Sequence, residues 1–273
     1  MKTYTVEDPN DPLVADYLRL DDHLLRQERE LPDGDMAGFF LAEGNQVIER
    51  GISSGYVLST LLIDTSSKKP LPKGLPQSAN ILLCNEIVLT AISGRPYLRD
   101  PIGSFFRPPL PDATAALKTA KTVVVTERVN NPTNMGALFR NACALGSDLV
   151  CLDPSSCDPM YRRAVRVSMG QVFSIKHVRL PLFPEGLSVL KSAGFALVAL
   201  TPGNHARRVG DFCIGKDDPV ALIIGAEGPG LTEETLQESD YQIRIPMDRN
   251  VDSLNVGTAA AVALYAIREA RFS

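Results

Sequence analysis

The chain has 273 residues, of which 44% are apolar and 22% charged, with 20 glycines and 20 prolines. This composition is typical of a globular protein and excludes a disordered or fibrous chain. The longest apolar runs, such as 123–125 and 221–224, fall far below the roughly 20 residues of a membrane-spanning helix, so we expect no membrane segment. At about 100 to 200 residues per domain, the length predicts two domains.

The N-terminus and the cysteines both indicate a cytoplasmic protein. The first residues lack the apolar segment and cleavage site of a signal peptide. The five cysteines contain no C-x-x-C pair, so we expect them to be reduced and mostly buried. The three histidines, His23, His177 and His205, are widely separated, and we therefore expect no metal site.

Charge is unevenly distributed. The chain has a net charge of −4, but residues 1–35 alone hold 4 Lys/Arg and 10 Asp/Glu. The rest of the chain is slightly basic, with clusters that include Arg162, Arg163 and Arg166. Such clusters are compatible with solvated helix faces or with contacts to RNA phosphates, and both interpretations stay open.

The first part of the chain predicts a helical arm and a small α/β unit. Residues 12–30 are rich in charge and carry leucines at intervals, which indicates a surface helix or helical arm. The unit that follows is predicted to contain strands at 38–42, 56–63 and 79–84 and helices at 44–51 and 86–92. The proline-rich segment 107–112 suits neither a helix nor a central strand, so it marks the domain boundary, and the predicted domains are 1–112 and 113–273.

The second domain alternates apolar runs with helical patterns. Continuous apolar runs are typical of strands that are covered on both faces, so a mainly parallel sheet with helices on both sides is expected. The predicted strands are 122–126, 149–152, 173–178, 196–200, 221–225 and 241–245. In such sheets ligands bind at the carboxyl ends of the strands. The functional residues are therefore expected in the loops that leave these ends.

The first such loop is 130–141, N-N-P-T-N-M-G-A-L-F-R-N. Either Asn131 or Asn134 suits the N-cap of the following helix. Arg140 falls at a helical position among apolar residues, where an arginine needs an anionic or hydroxyl partner. An ordinary helix cap explains one asparagine but leaves Arg140 without a role.

The second loop is 224–231, I-G-A-E-G-P-G-L. Its three glycines favour close approach of backbone to a ligand, and a tight structural turn is the alternative when the loop is taken alone. The nearby segment 210–217 imitates a phosphate-binding loop, but Asp217 stands where a Ser or Thr is required. We therefore reject that match.

The third loop is 245–258, I-P-M-D-R-N-V-D-S-L-N-V-G-T, followed by an alanine-rich helix. Ser253 is a plausible N-cap for this helix. The alanines suit close helix packing or a subunit interface.

In this order and spacing the three loops resemble the motifs of the SpoU-TrmH family of RNA ribose 2′-O-methyltransferases. The resemblance covers most of residues 121–268 and implies an α/β fold with a C-terminal trefoil knot, a rare exception to unknotted topology. Residues 36–106 resemble the small substrate-binding domain that often precedes this catalytic domain, through Phe40–Gly44 and Ile102–Phe106. The resemblance assigns no role to the acidic first 35 residues.

The resemblance also implies the cofactor and the site residues. S-adenosylmethionine would contact Leu200, Thr201, Gly225, Ala226, Glu227, Gly230, Ile245, Met247, Ser253 and Leu254. Arg140 matches the family's catalytic arginine, and its implied partners are Asn134, Glu227, Ser253 and Asn255. Arg140 would act either as the base or as a group that binds phosphate and stabilises the developing alkoxide. No metal takes part.

The resemblance further implies an RNA substrate and a homodimer formed through the knot region. Ribosomal RNA is favoured over transfer RNA, because the N-terminal domain resembles those of several ribosomal RNA enzymes. Arg162, Arg163 and Arg166 are the candidate phosphate contacts. The alternatives are a non-catalytic knotted RNA-binding or ribosome-assembly factor and a doubly wound nucleotide-binding enzyme. The chain lacks the dinucleotide fingerprint that a doubly wound nucleotide-binding enzyme would carry.

Overall fold

The computed structural model describes residues 1–20, 25–31, 33–249 and 251–271, and it divides them into two compact units. The first unit contains residues 1–109 and 160–174, and the second contains 110–159 and 175–273. The first change of unit lies close to the predicted boundary at 112. The return of 160–174 to the first unit departs from the predicted division, because a local sequence pattern does not reveal long-range packing.

The first unit is built on a mixed five-stranded sheet. In the order β1-β4-β3-β5-β2, the first three strands are mutually parallel and β5 is antiparallel to both of its neighbours. The strands are β1 (Lys2–Val6), β2 (Phe39–Glu43), β3 (Leu58–Asp64), β4 (Asn80–Cys84) and β5 (Ile102–Phe106). The helices are α1 (Asn45–Ser53) and α2 (Glu86–Ser93), close to the predicted ranges.

The N-terminal residues belong to this unit, and the predicted surface helix over 12–30 is wrong. Strand β1 adds to the sheet beside β4. A short 3₁₀ helix, Pro12–Tyr17, and a π-helical turn, Leu25–Arg29, follow it, while residues 21–24 lie outside the described residues. Tyr17 is fully buried, and its hydroxyl donates to the Thr60 carbonyl at 2.9 Å. The described residues of the acidic segment thus supply an edge strand of the first unit's sheet and several side chains of its hydrophobic core.

The second unit is built on a seven-stranded sheet in which every neighbouring pair is parallel, as predicted. Its order is β10-β12-β9-β11-β6-β7-β8. The strands are β6 (Thr122–Glu127), β7 (Leu149–Leu152), β8 (Lys176–Arg179), β9 (Ala196–Leu200), β10 (Arg207–Arg208), β11 (Val220–Gly225) and β12 (Tyr241–Arg244). The helices that follow α2 in the chain are α3 (Ala113–Leu117), α4 (Pro132–Ala144), α5 (Arg162–Val167), α6 (Glu185–Ser192), α7 (Glu233–Glu238) and α8 (Val256–Ala270), of which α5 belongs to the first unit.

Burial explains which strands the sequence predicts well. Every residue of the neighbouring central strands β6 and β11 is buried, which matches their continuous apolar runs. The predicted strand at 173–178 begins only at Lys176, because Gln171–Phe173 forms a 3₁₀ helix. The two-residue strand β10 is polar and exposed and was not predicted. Within the described ranges, no helix is long and apolar enough to cross a membrane.

The segment 160–174 completes the first unit. Arg162 on α5 donates from Nη2 to Glu43 Oε2 at 2.8 Å and from its backbone N to Glu30 Oε1 at 2.9 Å. Phe173 packs against Phe40, with ring centroids 5.4 Å apart. An ion pair and an aromatic contact thus join a late segment of the chain to the early sheet.

Candidate functional site

The glycine loop after β11 folds back on itself. Gly225 packs against the backbone so tightly that a Cβ atom placed there would lie 2.4 Å from the carbonyl carbon of Gly230. Ala226 and Gly230 form a β-bridge, and Gly228 and Gly230 have φ values of 86° and 70°. Only glycine fits the first position, and glycine is strongly favoured at the two others. The loop is therefore a tight turn that also presents backbone to the space beside it.

That space is a cleft of about 540 Å³, which we name the first cleft. It lies where the loops after β9, β11 and β12 meet, at the carboxyl ends of the strands. It is lined by all ten residues that the resemblance implied for the cofactor, namely Leu200, Thr201, Gly225, Ala226, Glu227, Gly230, Ile245, Met247, Ser253 and Leu254. The lining also includes Pro202, Ile224, Gly228, Asp252, Asn255, Val256 and Ala259, six of which were not predicted.

Asn255 joins three elements at the edge of the first cleft. Its Nδ2 donates to Asn134 Oδ1 at 2.8 Å and to Glu227 Oε1 at 3.0 Å. Its Oδ1 accepts hydrogen bonds from the backbone N atoms of Gly257, at 3.0 Å, and Thr258, at 3.4 Å, and so caps α8. The predicted N-cap, Ser253, is wrong, because the helix begins later, and Ser253 lies on the cleft wall instead.

Helix α4 holds Asn134 in this cluster. Asn131, one of the two predicted caps, accepts a hydrogen bond from Thr133 N at 2.9 Å, with Pro132 in the first turn. Asn141 Nδ2 donates to the Gly257 carbonyl at 2.7 Å and ties α4 to α8. Asn134 is buried, so its amide is fixed by the helix that carries it.

Arg140 lies apart from this polar cluster. It follows Asn134 by six positions on α4, which at about 100° per residue places the two side chains roughly 120° apart around the helix. Arg140 is exposed, and within the described ranges its side chain makes no hydrogen bond or ion pair. The expected apolar surroundings are therefore wrong, because Leu138 and Ala142 are buried on another side of the helix, while Arg140 is exposed. The structure brings Asn134, Glu227 and Asn255 together, with Ser253 nearby on the wall of the first cleft.

A second cleft of about 310 Å³ adjoins the first, and we name it the second cleft. Its lining shares Ala226, Glu227 and Val256 with the first cleft. The remaining lining residues come from the loop after β6 and the start of α4, together with Pro229, and are Arg128, Val129, Asn130, Asn131 and Asn134. Glu227 thus lies at the junction of two neighbouring spaces.

The end of β6 and the loop after it contain charged residues that were absent from the predicted site. Glu127, whose side chain is only 5% exposed, accepts a hydrogen bond from Thr232 N at 3.2 Å. Arg128 Nη2 donates to the Gly230 carbonyl at 3.3 Å. The sequence signal was the pair Glu-Arg shortly after the apolar run 123–125, where two charges need a local reason.

The three arginines predicted to contact RNA lie on α5 in the first unit. Arg162 is paired with Glu43 and its side chain is 13% exposed, so it has little surface to offer a phosphate. Arg163 is exposed, and Arg166 is more than half exposed with Nη1 3.4 Å from Glu43 Oε2. The RNA-contact prediction therefore rests on Arg163 and Arg166.

Known proteins resemble the chain over most of its length. Residues 121–265 match the SpoU rRNA Methylase family. An uncharacterized tRNA/rRNA methyltransferase of Mycobacterium bovis is 36% identical over 94% of this chain and 89% of its own length. The 23S rRNA (guanosine(2553)-2′-O)-methyltransferase RlmP of Bacillus subtilis is 27% identical over 84% of this chain and 88% of its own.

Solved structures extend the likeness to both units. An S-adenosylmethionine-bound rRNA methyltransferase from Sinorhizobium meliloti is similar with a TM-score of 0.78 and 25% identity, and the match covers 98% of each chain. The family match spans more than half of this chain and contains all three loops of the candidate site. The chain belongs to the SpoU rRNA methylase family.

Proposed function

We propose that the chain transfers a methyl group from S-adenosylmethionine to a ribose 2′-hydroxyl of ribosomal RNA. The observation that carries this proposal is the first cleft, in which all ten residues implied for the cofactor lie around one space. The polar cluster of Asn134, Glu227 and Asn255 borders that space. The similarity to RlmP, whose substrate is 23S rRNA, favours ribosomal RNA over transfer RNA.

The residues of the first cleft fit S-adenosylmethionine. A volume of about 540 Å³ is in the range of cofactor sites. Ile245 and Leu254 provide apolar surface for an adenine base, and the glycine loop provides backbone groups for the polar parts. Glu227 supplies a carboxylate, which favours a positively charged ligand.

Methyl transfer requires the protein to align the reacting atoms and to help remove the proton of the 2′-hydroxyl. S-adenosylmethionine would supply a methyl group that is already activated on a sulfonium sulfur. The ribose 2′-oxygen bonds to the methyl carbon as the bond from that carbon to sulfur breaks, S-adenosylhomocysteine leaves, and the hydroxyl proton passes to water or to a phosphate oxygen. Glu227 is held by Asn255 at the junction of the two clefts, which fixes a carboxylate beside the space for the ribose. Guanidinium groups stay protonated in proteins, so we propose that Arg140, which is exposed and lies outside the lining of both clefts, binds an RNA phosphate rather than acting as a base.

The test uses Arg140→Ala. The protein is incubated with S-adenosylmethionine and, separately, with ribosomal and transfer RNA from cells that lack its gene, and 2′-O-methylnucleosides are identified by mass spectrometry. We expect a new product in ribosomal RNA only, and no product with Arg140→Ala at unchanged cofactor affinity.

Arg95→Ala is the matched control, since it removes another exposed arginine, from the loop after α2 in the first unit. Equal loss of product with this control would contradict the role of Arg140. Cofactor binding by the wild type without any product would favour the alternative, a non-catalytic RNA-binding factor.

We further propose that the active molecule is a homodimer formed through the C-terminal part of the second unit. Helix α8 buries Ala260 and Ala263 against its own unit but leaves Val262 and Tyr265 exposed, at 37% and 56%. These two side chains lie three residues apart on the outer face of the helix. An exposed apolar pair on a helix that already packs closely on its other side suits a second copy of the chain.

A further inference from the structure

Arg128 has a backbone conformation that disfavours an arginine. Its φ is 58°, in the left-handed region where a residue with a Cβ atom is strained by about 1 kcal/mol or more relative to glycine. The conformation is enforced, because Arg128 N donates to Asp153 Oδ1 at 3.0 Å directly after strand β6. Glycine would satisfy the same turn without strain. The side chain of Arg128 therefore needs a reason of its own.

The contacts within the protein use only a small part of this side chain. Nη2 makes the 3.3 Å hydrogen bond to the Gly230 carbonyl. Nε is buried and has no hydrogen-bond partner in the described part of the chain; it lies 3.9 Å from Glu127 Oε1. A guanidinium carries five N–H donors, so most of them are left for a ligand. The side chain is 39% exposed and lines the second cleft.

The second cleft has the chemistry of a nucleotide backbone site. Three asparagines, Asn130, Asn131 and Asn134, line it beside Arg128, and Glu227 is its single carboxylate within the described lining. Arginine binds phosphate through a planar fork of donors, and amides suit ribose hydroxyls. Because the cleft shares Ala226, Glu227 and Val256 with the first cleft, a nucleotide in it would border the cofactor.

We propose that Arg128 binds a phosphate of the RNA backbone next to the nucleotide that is methylated, with that nucleotide in the second cleft. The hydrogen bond to Gly230 then orients the guanidinium from the cofactor side, so one residue touches both the cofactor loop and the substrate. This assignment rests on the proposed function, since it takes RNA as the substrate.

The test uses Arg128→Gly, which removes the guanidinium and relieves the strained φ, so the variant is expected to fold. Binding of a fluorescein-labelled, single-stranded RNA 12-mer is followed by anisotropy over a series of KCl concentrations, and S-adenosylmethionine binding by calorimetry. We expect RNA affinity to fall about tenfold. The slope of log affinity against log salt should shrink by about 0.7, the loss of one single-strand phosphate contact. S-adenosylmethionine affinity should stay within about twofold.

Two further variants separate the explanations. Arg19→Gly makes the same change of charge at another arginine with positive φ, 54°, in the first unit, and it should keep the wild-type slope. Arg128→Lys keeps the charge and should keep the slope, with a smaller loss of RNA affinity.

Three results would overturn the assignment: an unchanged slope in Arg128→Gly, an equal change in Arg19→Gly, or an equal loss of cofactor affinity, which would make Arg128 a clamp on the glycine loop. Failure of the proposed function is a different result, namely wild-type protein that binds RNA and transfers no methyl group.

Discussion

At the scale of single residues, Asn255 performs two tasks with one amide. Its oxygen caps α8, and its nitrogen holds Asn134 and Glu227. A cap is worth about 1 kcal/mol, whereas the two donated bonds fix the cluster beside the first cleft. The two tasks use different atoms, and substitutions can therefore separate them.

We predict that Asn255→Asp and Asn255→Ala differ in stability but not in activity. Aspartate keeps an oxygen to cap α8, while it loses the donor and places a second carboxylate beside Glu227. Methyl transfer should therefore fall at least tenfold in both variants, but only Asn255→Ala should lose the capping free energy of about 1 kcal/mol. Radiolabelled methyl transfer and urea unfolding measure the two effects. Full activity in Asn255→Asp would show that the donated bonds are dispensable.

The cysteines give a second prediction at this scale. Burial raises the pKa of Cys151 to about 12. Burial, reinforced by Asp11 and Asp64, raises that of Cys84 to about 11. Cys213 is exposed. A thiol reagent at pH 8 should therefore modify Cys213 quickly and reach Cys84 and Cys151 only when the chain unfolds, because the thiolate is the reactive form.

Mass spectrometry of peptides after timed labelling checks this order. Cys213→Ser is the control and should remove the fast phase. Rapid labelling of Cys151 in the folded protein would contradict the burial of β7.

At the residue scale, the sequence motifs identified ten residues that the structure places around one cleft, while their contact with the cofactor stays a prediction. They lie together because the loops after β9, β11 and β12 all leave the same edge of a parallel sheet. Arg128 was missed, since its significance depends on a φ value and on contact with Gly230, 102 positions later. Arg162 was predicted to contact RNA, and the sequence could not show that it pairs with Glu43, 119 positions earlier in the chain.

At the scale of elements, the packing of α4 on α8 positions the polar cluster. A Cβ atom on Gly257 would lie 2.7 Å from the Cβ of Ala137, which is far inside normal contact. The glycine is therefore a condition for the close approach that lets Asn141 reach the Gly257 carbonyl. Through this contact, helix packing and site geometry depend on the same two residues.

We predict that Gly257→Ala destabilises the protein by about 1 to 3 kcal/mol, the usual cost of overpacking. It should also lower methyl transfer, because α4 carries Asn134. Adding Ala137→Gly removes the clashing methyl group from the facing helix and should restore activity, while glycine in α4 keeps a stability cost of up to about 1 kcal/mol. Urea unfolding and transfer rates of the single and double variants measure both. A double variant no more active than Gly257→Ala would argue against the contact.

The boundaries of buried strands were predicted better than those of exposed segments. The strands of the second unit read as continuous apolar runs because helices cover both faces of the sheet. The N-terminal helix prediction failed because leucine spacing does not distinguish one helix from short turns that bury Val14, Tyr17 and Leu25 separately. The knot stays a prediction that follows from family resemblance, since threading of a chain leaves no mark on local periodicity.

At the scale of the whole molecule, the proposed homodimer gives a direct prediction. Light scattering should return about twice the chain mass of 29.6 kDa. Tyr265→Asp places a charge in the proposed apolar contact and should shift the protein toward monomer. Tyr97→Asp, at another tyrosine that is more than half exposed but lies in the first unit, is the matched control and should stay dimeric. A monomeric wild type would refute the proposal.

The path of the chain between the two units has a consequence for biosynthesis. The first unit needs residues 160–174, which are made only after the strands β6 and β7 of the second unit. A ribosome that has produced residues 1–109 has therefore not yet supplied α5, the partner of Glu43, or Phe173, the partner of Phe40. The first unit can therefore be completed only after residues 160–174 have been synthesised. We infer that the two units do not fold one after the other in the order of synthesis. Cutting the gene at residue 110 should yield two fragments that each expose apolar surface.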